Sequence, residues 1–294
     1  MIERRSFGRV SFLALNYIVL AVFALTCLFP ILHMLAMSFS SNSAVTAGWV
    51  TIWPRGFNLS SYQYILDNPA FKSAFLVSVE RVVLGVAISM LLTILAAYPL
   101  SKSNSRFRYR TAYSWFFVVT MIFNGGLIPT FMMVKQTGLM DSIWALIIPS
   151  AVNVFNIILM LNFFRTLPHE LDESAMIDGA GNWRTLWSIY LPISKPSIAT
   201  ILLFSVILHW NSWFDGLIYM NSPSHYPLQT YLQTVIVSKS LDSMSTSDLS
   251  VLNSISDRTV MAAQLFVSIL PILCIYPFLQ RYFVQGLTLG SVKG

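Results

Sequence analysis

Apolar runs long enough to cross a lipid bilayer recur along this chain of 294 residues. The hydrocarbon core of a bilayer is about 30 Å thick and requires about 20 predominantly apolar residues in a helix. Six segments fit this requirement: residues 11–39, 82–100, 112 to between 126 and 134, 142–164, 197–217 and 260–283. We therefore predict an all-α integral membrane protein with six transmembrane helices. The third is interrupted by Asn124-Gly125-Gly126 and by Pro129.

The charge content agrees with a membrane location. Only 10% of the residues are charged and 55% are hydrophobic, whereas a soluble domain carries roughly 25% charged residues. The net charge of +6 does not indicate nucleic-acid binding, because that requires basic residues clustered on one soluble face. We therefore expect a lipid bilayer around the chain and no nucleic acid as a partner.

The positions of lysine and arginine predict the orientation. Six spans place both termini on one side, and that side holds 12 of the 18 basic residues. By the positive-inside rule, both termini are predicted to be cytoplasmic. A basic N-terminus before an apolar run also fits a signal peptide. Because the run is long and lacks a small-x-small cleavage site before Trp49, we interpret it as a retained first span.

Two long segments, residues 40–72 and 218–258, are predicted on the outer side. Loops longer than about 15 residues are usually either functional or disordered. Each segment is therefore interpreted as a contact surface for an external protein or as a mobile connector.

The segment from Arg165 to Pro196 carries the most information about function. Pro168 suits the first position of a helix, and the acidic residues that follow it are favourable near a helix N-terminus. Gly179 and Gly181 are suited to a left-handed cap that ends this helix. The helix is predicted to present its acids outward, together with the small residues Ser174 and Ala175, where another protein could approach closely.

A second helix is predicted from Asn182, which is suited to capping its N-terminus, to Pro192, which ends it. Its apolar residues recur at helical spacing and form one stripe: Trp183, Leu186, Trp187, Tyr190 and Leu191. This aromatic face is predicted to hold the segment on the membrane surface.

The same segment resembles the EAA signature of the permeases of bacterial ATP-binding cassette (ABC) importers. That signature is Glu-Ala-Ala, three residues, Gly, nine residues, Ile, one residue and Leu-Pro. Glu173-Ser174-Ala175, Gly179, Ile189 and Leu191-Pro192 match every spacing, with Ser174 in place of the first alanine. The similarity is closest to the maltose-type carbohydrate permeases, in the branch serving oligosaccharide and polysaccharide uptake. Other segments with this similarity are residues 124–129, 162–164, 209–215 and 286–294.

The resemblance implies the type I ABC importer permease fold in a bacterial cell membrane. It also implies a second permease subunit, two cytoplasmic ATPase subunits that bind ATP and magnesium, and an extracytoplasmic binding protein that delivers a sugar. Residues 72–285 would form the transmembrane domain, after an N-terminal part (1–71) and before a cytoplasmic tail (286–294). The residues implied in ATPase coupling are Glu173, Ser174, Ala175, Asp178, Gly179, Leu191 and Pro192.

The chain itself shows no signature of catalysis. It has no G-x-x-x-x-G-K-[ST] phosphate-binding loop, so ATP hydrolysis is expected in a partner, and this chain is expected to hold no cofactor. Cys27 and Cys274 fall inside predicted spans, and the four histidines are scattered. Neither a disulfide framework nor a metal site is therefore predicted.

Polar residues inside spans are costly and often functional. Residues interpreted as candidates for a sugar pathway are His209, Trp210, Asn211, Trp213, Asp215 and Asn156. The alternatives are interhelical hydrogen bonds for the asparagines and interfacial anchoring for the tryptophans. For the asparagines the alternative is preferred, and for the cluster from His209 to Asp215 both interpretations stay open.

Other functions fit the sequence less well. A permease for another solute class in the same superfamily is the main alternative. An ion-coupled secondary transporter would usually show inverted repeats and acids at the midplane. An intramembrane hydrolase would need a nucleophile and base, or metal ligands, facing a cavity. A non-transporting scaffold would leave the EAA spacing unexplained.

Overall fold

The computed structural model describes residues 7–123, 125–245 and 249–291. Every regular element in these ranges is helical. Short 3₁₀ turns lie at Ile148–Ser150 and Pro223–His225, and a π-helical turn lies at Leu186–Tyr190. The α-helices are α1 (Phe7–Ser38), α2 (Asn42–Thr46), α3 (Ser60–Asp67), α4 (Pro69–Ser101), α5 (Arg110–Ile122), α6 (Leu127–Gln136), α7 (Ile143–Ile147), α8 (Val154–Thr166), α9 (Glu170–Ile177), α10 (Asn182–Thr185), α11 (Leu191–Ile193), α12 (Lys195–Asn211), α13 (Phe214–Tyr219), α14 (Leu228–Ser245) and α15 (Leu249–Ser291).

Three helical stretches in the described ranges are long and apolar enough to cross a membrane without a break: Gly8–Ser38, Pro69–Ser101 and Arg258–Phe278. Three bent helix pairs meet the same test together: Arg110–Ile122 with Leu127–Gln136, Ile143–Ser150 with Val154–Thr166, and Asn182–Ile193 with Lys195–Asn211. The described chain therefore has three spans, or up to six if each bent pair is one span. The expected fold class is confirmed. The breaks of the first two pairs fall within expected spans, and the break of the third pair, at Ser194, precedes the expected span 197–217.

The breaks fall at residues that disfavour a continuous helix. Before α6, Gly126 has a φ of 88°, a left-handed value that favours glycine. The predicted span 142–164 is bent by 48° after the turn that contains Pro149. The predicted span 197–217 is wrong at its end, because α12 stops at Asn211 and α13 starts separately at Phe214.

The chain divides into two compact units: residues up to 69 together with 235–270, and residues 70–234 together with those from 271 onward. The boundary after residue 69 lies two residues before the boundary after residue 71 that is expected from the sequence. Residues 235–270, which the sequence analysis assigned to the transmembrane domain, group with the N-terminal unit.

In the N-terminal unit, residues 40–59 are anchored by specific contacts. The Ser40 hydroxyl donates to the Ala36 carbonyl at 2.6 Å and accepts from the Arg55 amide at 3.0 Å. The ring of Phe39 stacks on the rings of Phe57 and Tyr62. This segment therefore has defined structure, which disagrees with a mobile connector.

The second outer segment, residues 218–258, is mostly helical in its described part. It contains α14 and the beginning of α15. Leu228 and Leu232, four residues apart, are both buried, and this spacing gives a helix one apolar face. Residues 246–248 lie outside the described residues. α15 continues to Ser291, so residues 286–291 of the expected cytoplasmic tail (286–294) are helical, and residues 292–294 lie outside the described residues.

The second unit has a core that positions the segment with the EAA signature. Buried side chains of α4 and α8 pack there against that segment and against α12: Ala97, Tyr98, Met160, Phe164, Leu186, Tyr190 and Ile201. The residues between α8 and α12 therefore rest on the ends of the membrane helices.

Candidate functional site: the segment between α8 and α12

The short helix α9 carries the EAA signature and is defined at both ends by backbone hydrogen bonds. It begins at Glu170, two residues after Pro168, whose carbonyl accepts from the Leu171 amide at 3.3 Å. Pro168 therefore lies in the preceding turn and not at the first helical position, a difference within ordinary boundary uncertainty. The helix ends at Ile177, next to Asp178.

Gly179 ends α9 in the left-handed conformation that the sequence predicts, with a φ of 71°. Its amide donates to the Met176 carbonyl at 3.0 Å, and the Ala180 amide donates to the Ala175 carbonyl at 2.8 Å. These two bonds form a Schellman motif. A Cβ atom at Gly179 would meet nothing within 4 Å, so glycine is required here by the backbone conformation and not by space.

Asp172 fixes α9 to the end of α4. Its carboxylate accepts from Nζ of Lys102 at 2.7 and 2.8 Å, and Nη1 of Arg106 lies 3.8 Å away. The side chains of Lys102 and Asp172 are only 8% and 9% exposed. Burial lowers the pKa of Lys102, and the hydrogen bond to Asp172 opposes this shift by stabilising the ammonium form. Asp172 therefore points into the chain, which corrects the expectation that all the acids of α9 face outward.

Aromatic rings complete the environment of Lys102. Its Nζ lies 4.2 Å from the ring centroid of Tyr98 and 3.9 Å from that of Tyr190, within the range of a cation–π interaction. The two tyrosine rings meet edge to face at 5.1 Å. The Lys102 ammonium group thus contacts Tyr98 of α4, Asp172 of α9 and Tyr190 of the π-helical turn.

Ala175 is 3% exposed and lies one turn after Asp172, on the inward face of α9. The expectation that Ala175 is presented outward with Ser174 is therefore wrong: a small residue is needed there because α9 packs closely on its own chain. The exposed residues of α9 include Glu173, Ser174 and Ile177. Ile177 is 86% exposed, the highest exposed fraction among the large hydrophobic residues described.

The second helix differs from its prediction in three respects. Gly181, in an extended conformation, is the N-cap, and Asn182 is the first helical residue. The predicted stripe is divided, because Leu186 and Tyr190 are buried while Trp183 and Trp187 are 65% and 55% exposed. The helical path continues past Pro192, through α11.

A π-helical turn explains why the helix continues past Pro192. Proline lacks an amide hydrogen, and its ring clashes with the carbonyl four residues earlier in an α-helix. The wider turn at Leu186–Tyr190 directly precedes α11, and such turns interrupt the regular hydrogen-bond ladder. The path then bends by 83° between Ile193 and Lys195.

One of the residues predicted for a sugar pathway, Asp215, pairs with a buried arginine. Arg81 is 0% exposed, and its guanidinium forms a salt bridge with Asp215 and donates to the carbonyls of Ser212 at 3.2 Å and Leu146 at 3.4 Å. Asp215 also accepts from the Ser212 hydroxyl at 3.0 Å and the Gly216 amide at 2.9 Å. This network joins α4 to the turn between α12 and α13.

Three of the pathway candidates are buried within the chain. His209 is 1% exposed, and its Nε2 lies 3.4 Å from the Ser89 hydroxyl. Trp210 packs edge-on against the ring of Phe75. Asn156 donates to the Ser205 hydroxyl at 3.3 Å, an interhelical bond of the kind that the alternative interpretation expected.

The other two candidates are accessible. Asn211 is exposed and Trp213 is 39% exposed. The assignment of the six residues to a sugar pathway stays a prediction. Sequence analysis did not identify the Arg81–Asp215 and Lys102–Asp172 pairs. An arginine directly before one apolar run and an aspartate near the end of another would have indicated the first pair, since charges in membrane segments usually pair.

The chain matches a known family over most of its length. The match is to the binding-protein-dependent transport system inner membrane component and covers residues 89–289, which include α9 and its cap. The chain belongs to this family. It is therefore an inner membrane transport permease, and the resemblance read from the EAA spacing is confirmed.

Relatives of this permease match it from end to end. It is 41% identical over 284 residues to the polygalacturonan/rhamnogalacturonan transport system permease protein YtcP of Bacillus subtilis (strain 168), covering 95% of this chain and 97% of the relative. It is 38% identical to Protein LplC of the same organism, covering 98% and 96%.

Among solved structures, the permease is similar to a chain from the crystal structure of a bacterial ABC transporter involved in the import of the acidic polysaccharide alginate. The TM-score is 0.85 at 34% identity, covering 96% of this chain and 99% of that one. A second chain, from the alginate transporter in complex with an alginate pentasaccharide-bound periplasmic protein, has a TM-score of 0.56 at 18% identity, covers 95% and 98%, and supports the fold alone.

Proposed function

We propose that this permease moves an oligosaccharide or polysaccharide fragment into the cytoplasm, that two ATPase subunits drive the transporter, and that α9 docks into a cleft on an ATPase subunit. The observation that carries the proposal is the division of α9 into two faces. Asp172 and Ala175 hold the helix to its own chain, while Glu173, Ser174 and Ile177 are left exposed. Because α9 is fixed to its own chain and its outer face is exposed, the movement of a partner bound to that face would be transmitted to α4.

The exposed residues have the chemistry of a docking surface. Glu173 offers a carboxylate to a basic residue of the partner, and loss of such a contact at a buried interface costs about 2–5 kcal/mol. Ile177, which is 86% exposed, offers an apolar anchor to the partner. A second permease subunit and an external binding protein complete the proposed transporter, with the termini and α9 in the cytoplasm.

The relatives support a saccharide as the transported solute. The names of YtcP and of the solved alginate transporter both refer to polysaccharides, and the chain is 41% and 34% identical to them. ATP and magnesium are proposed to bind to the ATPase subunits only, with no cofactor in this chain.

The test compares two glycines of the same loop. Replacing Gly179 by alanine places a side chain in the left-handed region, which is strained, whereas Gly181 has a φ of −72° that alanine adopts freely. Neither added Cβ would meet an atom within 4 Å. We expect Gly179→Ala, but not Gly181→Ala, to weaken ATPase retention and sugar uptake.

Glu173→Lys is the complementary variant, because it reverses a charge on the exposed face without touching the cap. The measurements are a pull-down of the ATPase and uptake of a labelled oligosaccharide by the full complex in proteoliposomes. Normal ATPase retention and uptake by both Gly179→Ala and Glu173→Lys would refute the coupling role. Normal ATPase docking without uptake of any saccharide would refute the solute assignment alone.

A further inference from the structure

The connection between α4 and α5 is a closed, hydrogen-bonded turn. The amides of Arg106 and Phe107 both donate to the Ser103 carbonyl, at 3.1 and 3.0 Å. The Arg110 amide donates to the Phe107 carbonyl at 3.1 Å. The ring of Phe107 also stacks on that of Tyr113, in the first turn of α5, with 5.6 Å between the ring centroids. The start of α5 is therefore fixed relative to the residues that follow α4.

Arg110, the first residue of α5, closes this turn with its side chain. Its Nη1 donates to the carbonyl of Lys102 at 2.9 Å, directly after the end of α4, where carbonyls lack intrahelical partners. Among the residues that the structure describes, the Nε of Arg110 is buried without a hydrogen-bond partner. An unmet buried donor is costly, so the side chain keeps its bond to Lys102 although one of its donors has lost its hydration.

Lys102 makes two contacts that lead to different helices. Its Nζ donates to the Asp172 carboxylate of α9 at 2.7 and 2.8 Å, while its carbonyl accepts from Arg110 of α5. A second arginine, Arg165 of α8, donates from Nη2 to the Leu100 carbonyl of α4 at 3.3 Å. The ends of α4, α5 and α8 are thus joined by hydrogen bonds beside the residue that holds α9.

We propose that Arg110 is a positioning residue for transport, which passes a displacement of α9 to α5 through Lys102. Coupling between distant sites is carried by hydrogen-bond and salt-bridge networks that link rigid elements, and this network is continuous from the Asp172 carboxylate to the Arg110 guanidinium. Because α5 is the first half of a bent helix pair, its displacement changes the bend. The inference rests on the proposed docking of α9 to an ATPase subunit.

The test measures the labelled oligosaccharide taken up per ATP hydrolysed by the assembled transporter in proteoliposomes. Arg110→Met removes the donor to the Lys102 carbonyl. It is expected to lower uptake per ATP at least about tenfold, the factor by which the loss of a hydrogen bond from a charged group changes an equilibrium. Arg110→Lys keeps a cationic donor and is expected to recover part of this loss. Arg108→Met is the matched control, because Arg108 is an exposed arginine of the same connection, and uptake per ATP is expected to stay unchanged.

A double variant tests whether Arg110 and Asp172 act through the same residue. Asp172→Asn/Arg110→Met is expected to be no more impaired in uptake per ATP than Asp172→Asn alone, because contacts in series need to be broken only once. Residues that act independently give losses that multiply.

Spin labels on α5 and α9 measure the joint movement without any sugar. The labels are attached to Ala112→Cys and Glu170→Cys, both at exposed positions, with Cys27 and Cys274 replaced. In the complex that keeps Arg110, the distance between the labels is expected to be the same with and without bound ATP, because α5 moves with α9. In the Arg110→Met complex the distance is expected to change on ATP binding.

Four results would overturn the inference: unchanged uptake per ATP in Arg110→Met, a parallel fall of uptake and ATP turnover at a constant ratio, losses that multiply in the double variant, and a label distance that changes on ATP binding while Arg110 is present. A parallel fall is what a purely structural role would produce. The proposed function stands in all four cases if the unmodified complex takes up sugar with ATP and Asp172→Asn does not. Absence of ATP-driven uptake by the unmodified complex would refute the proposed function, and this inference with it.

Discussion

Asp172→Asn removes the charge that holds α9 to α4 while keeping the shape of the side chain. Both partners of the pair are buried, with side chains 8% and 9% exposed, so the full cost of an unpaired buried charge applies. Breaking a buried ion pair on one side costs about 3–5 kcal/mol. Asparagine still accepts one hydrogen bond from Nζ of Lys102, so the expected loss of stability is about 3 kcal/mol.

The opposite variant, Lys102→Met, is expected to cost less. Asp172 then keeps Arg106 at 3.8 Å, and that guanidinium is 32% exposed and reaches water. The methionine also keeps an apolar contact with the two tyrosine rings. Replacing both partners by apolar residues, as in Lys102→Met/Asp172→Leu, is expected to recover much of the loss, because paired apolar replacements of buried ion pairs are often nearly neutral.

Equilibrium unfolding of the purified chain in mixed micelles measures these differences as a double-mutant cycle. Uptake and ATPase rates of the assembled transporter measure coupling in parallel. We expect Asp172→Asn to retain ATP turnover but lose uptake, because α9 no longer moves with α4. A stability change below about 0.5 kcal/mol for Asp172→Asn, the size of an ordinary surface substitution, would refute the reasoning.

Three further predictions follow from other contacts. Gly85→Ala places a Cβ 2.7–2.9 Å from the His209 ring and is expected to cost about 1–3 kcal/mol by overpacking, a loss that His209→Ala relieves in unfolding measurements. The pKa of Asp141 is lowered chiefly by the hydrogen bond from His225. The ionised Asp141 carboxylate therefore stabilises the fold above its usual pKa of 3.8, and this contribution to stability is lost as the pH falls through the lower pKa of the folded state. Asp141→Asn should abolish this acid-dependent loss of stability. With Cys27 and Cys274 replaced, a cysteine at Asn104 should be labelled from the cytoplasm and one at Gln63 only from outside.

Each of these three predictions has a distinct contrary result. If Gly85→Ala and the double variant Gly85→Ala/His209→Ala are equally stable, the helices accommodate the added methyl group without loss of stability. An acid unfolding profile shared by Asp141→Asn and the unmodified chain would remove the role of that carboxylate. Labelling of both cysteines from one side would contradict the predicted topology.

Sequence patterns predicted what depends on local backbone chemistry. The left-handed residue at Gly179 was predictable because few other residues adopt a φ of 71° without strain. The apolar runs likewise predicted the spans, because bilayer thickness sets a length that does not depend on tertiary contacts. The outward or inward direction of Ala175 was not predictable from composition, since a small residue suits both a docking surface and close packing.

The ion pairs escaped prediction because their partners are far apart in the sequence. Lys102 and Asp172 are 70 residues apart, and Arg81 and Asp215 are 134 residues apart. Spacing within one helix cannot reveal such contacts, and only the three-dimensional arrangement of the helices brings them together. The length of residues 218–258 predicted a loop, but the apolar spacing of Leu228 and Leu232 indicates the helix that is present.

The residues that hold α9 to its own chain differ from those at Glu173, Ser174 and Ile177, so the two sets can change separately. Substitutions at Glu173, Ser174 and Ile177 alter what an incoming protein meets, while Asp172 and Ala175 keep the helix in place. Under the proposed docking on α9, a duplicated permease gene could therefore acquire a different ATPase partner while the helix stays packed on its own chain. Under the same proposal, transplanting the three exposed residues from one transporter to another is expected to redirect the permease to the donor's ATPase.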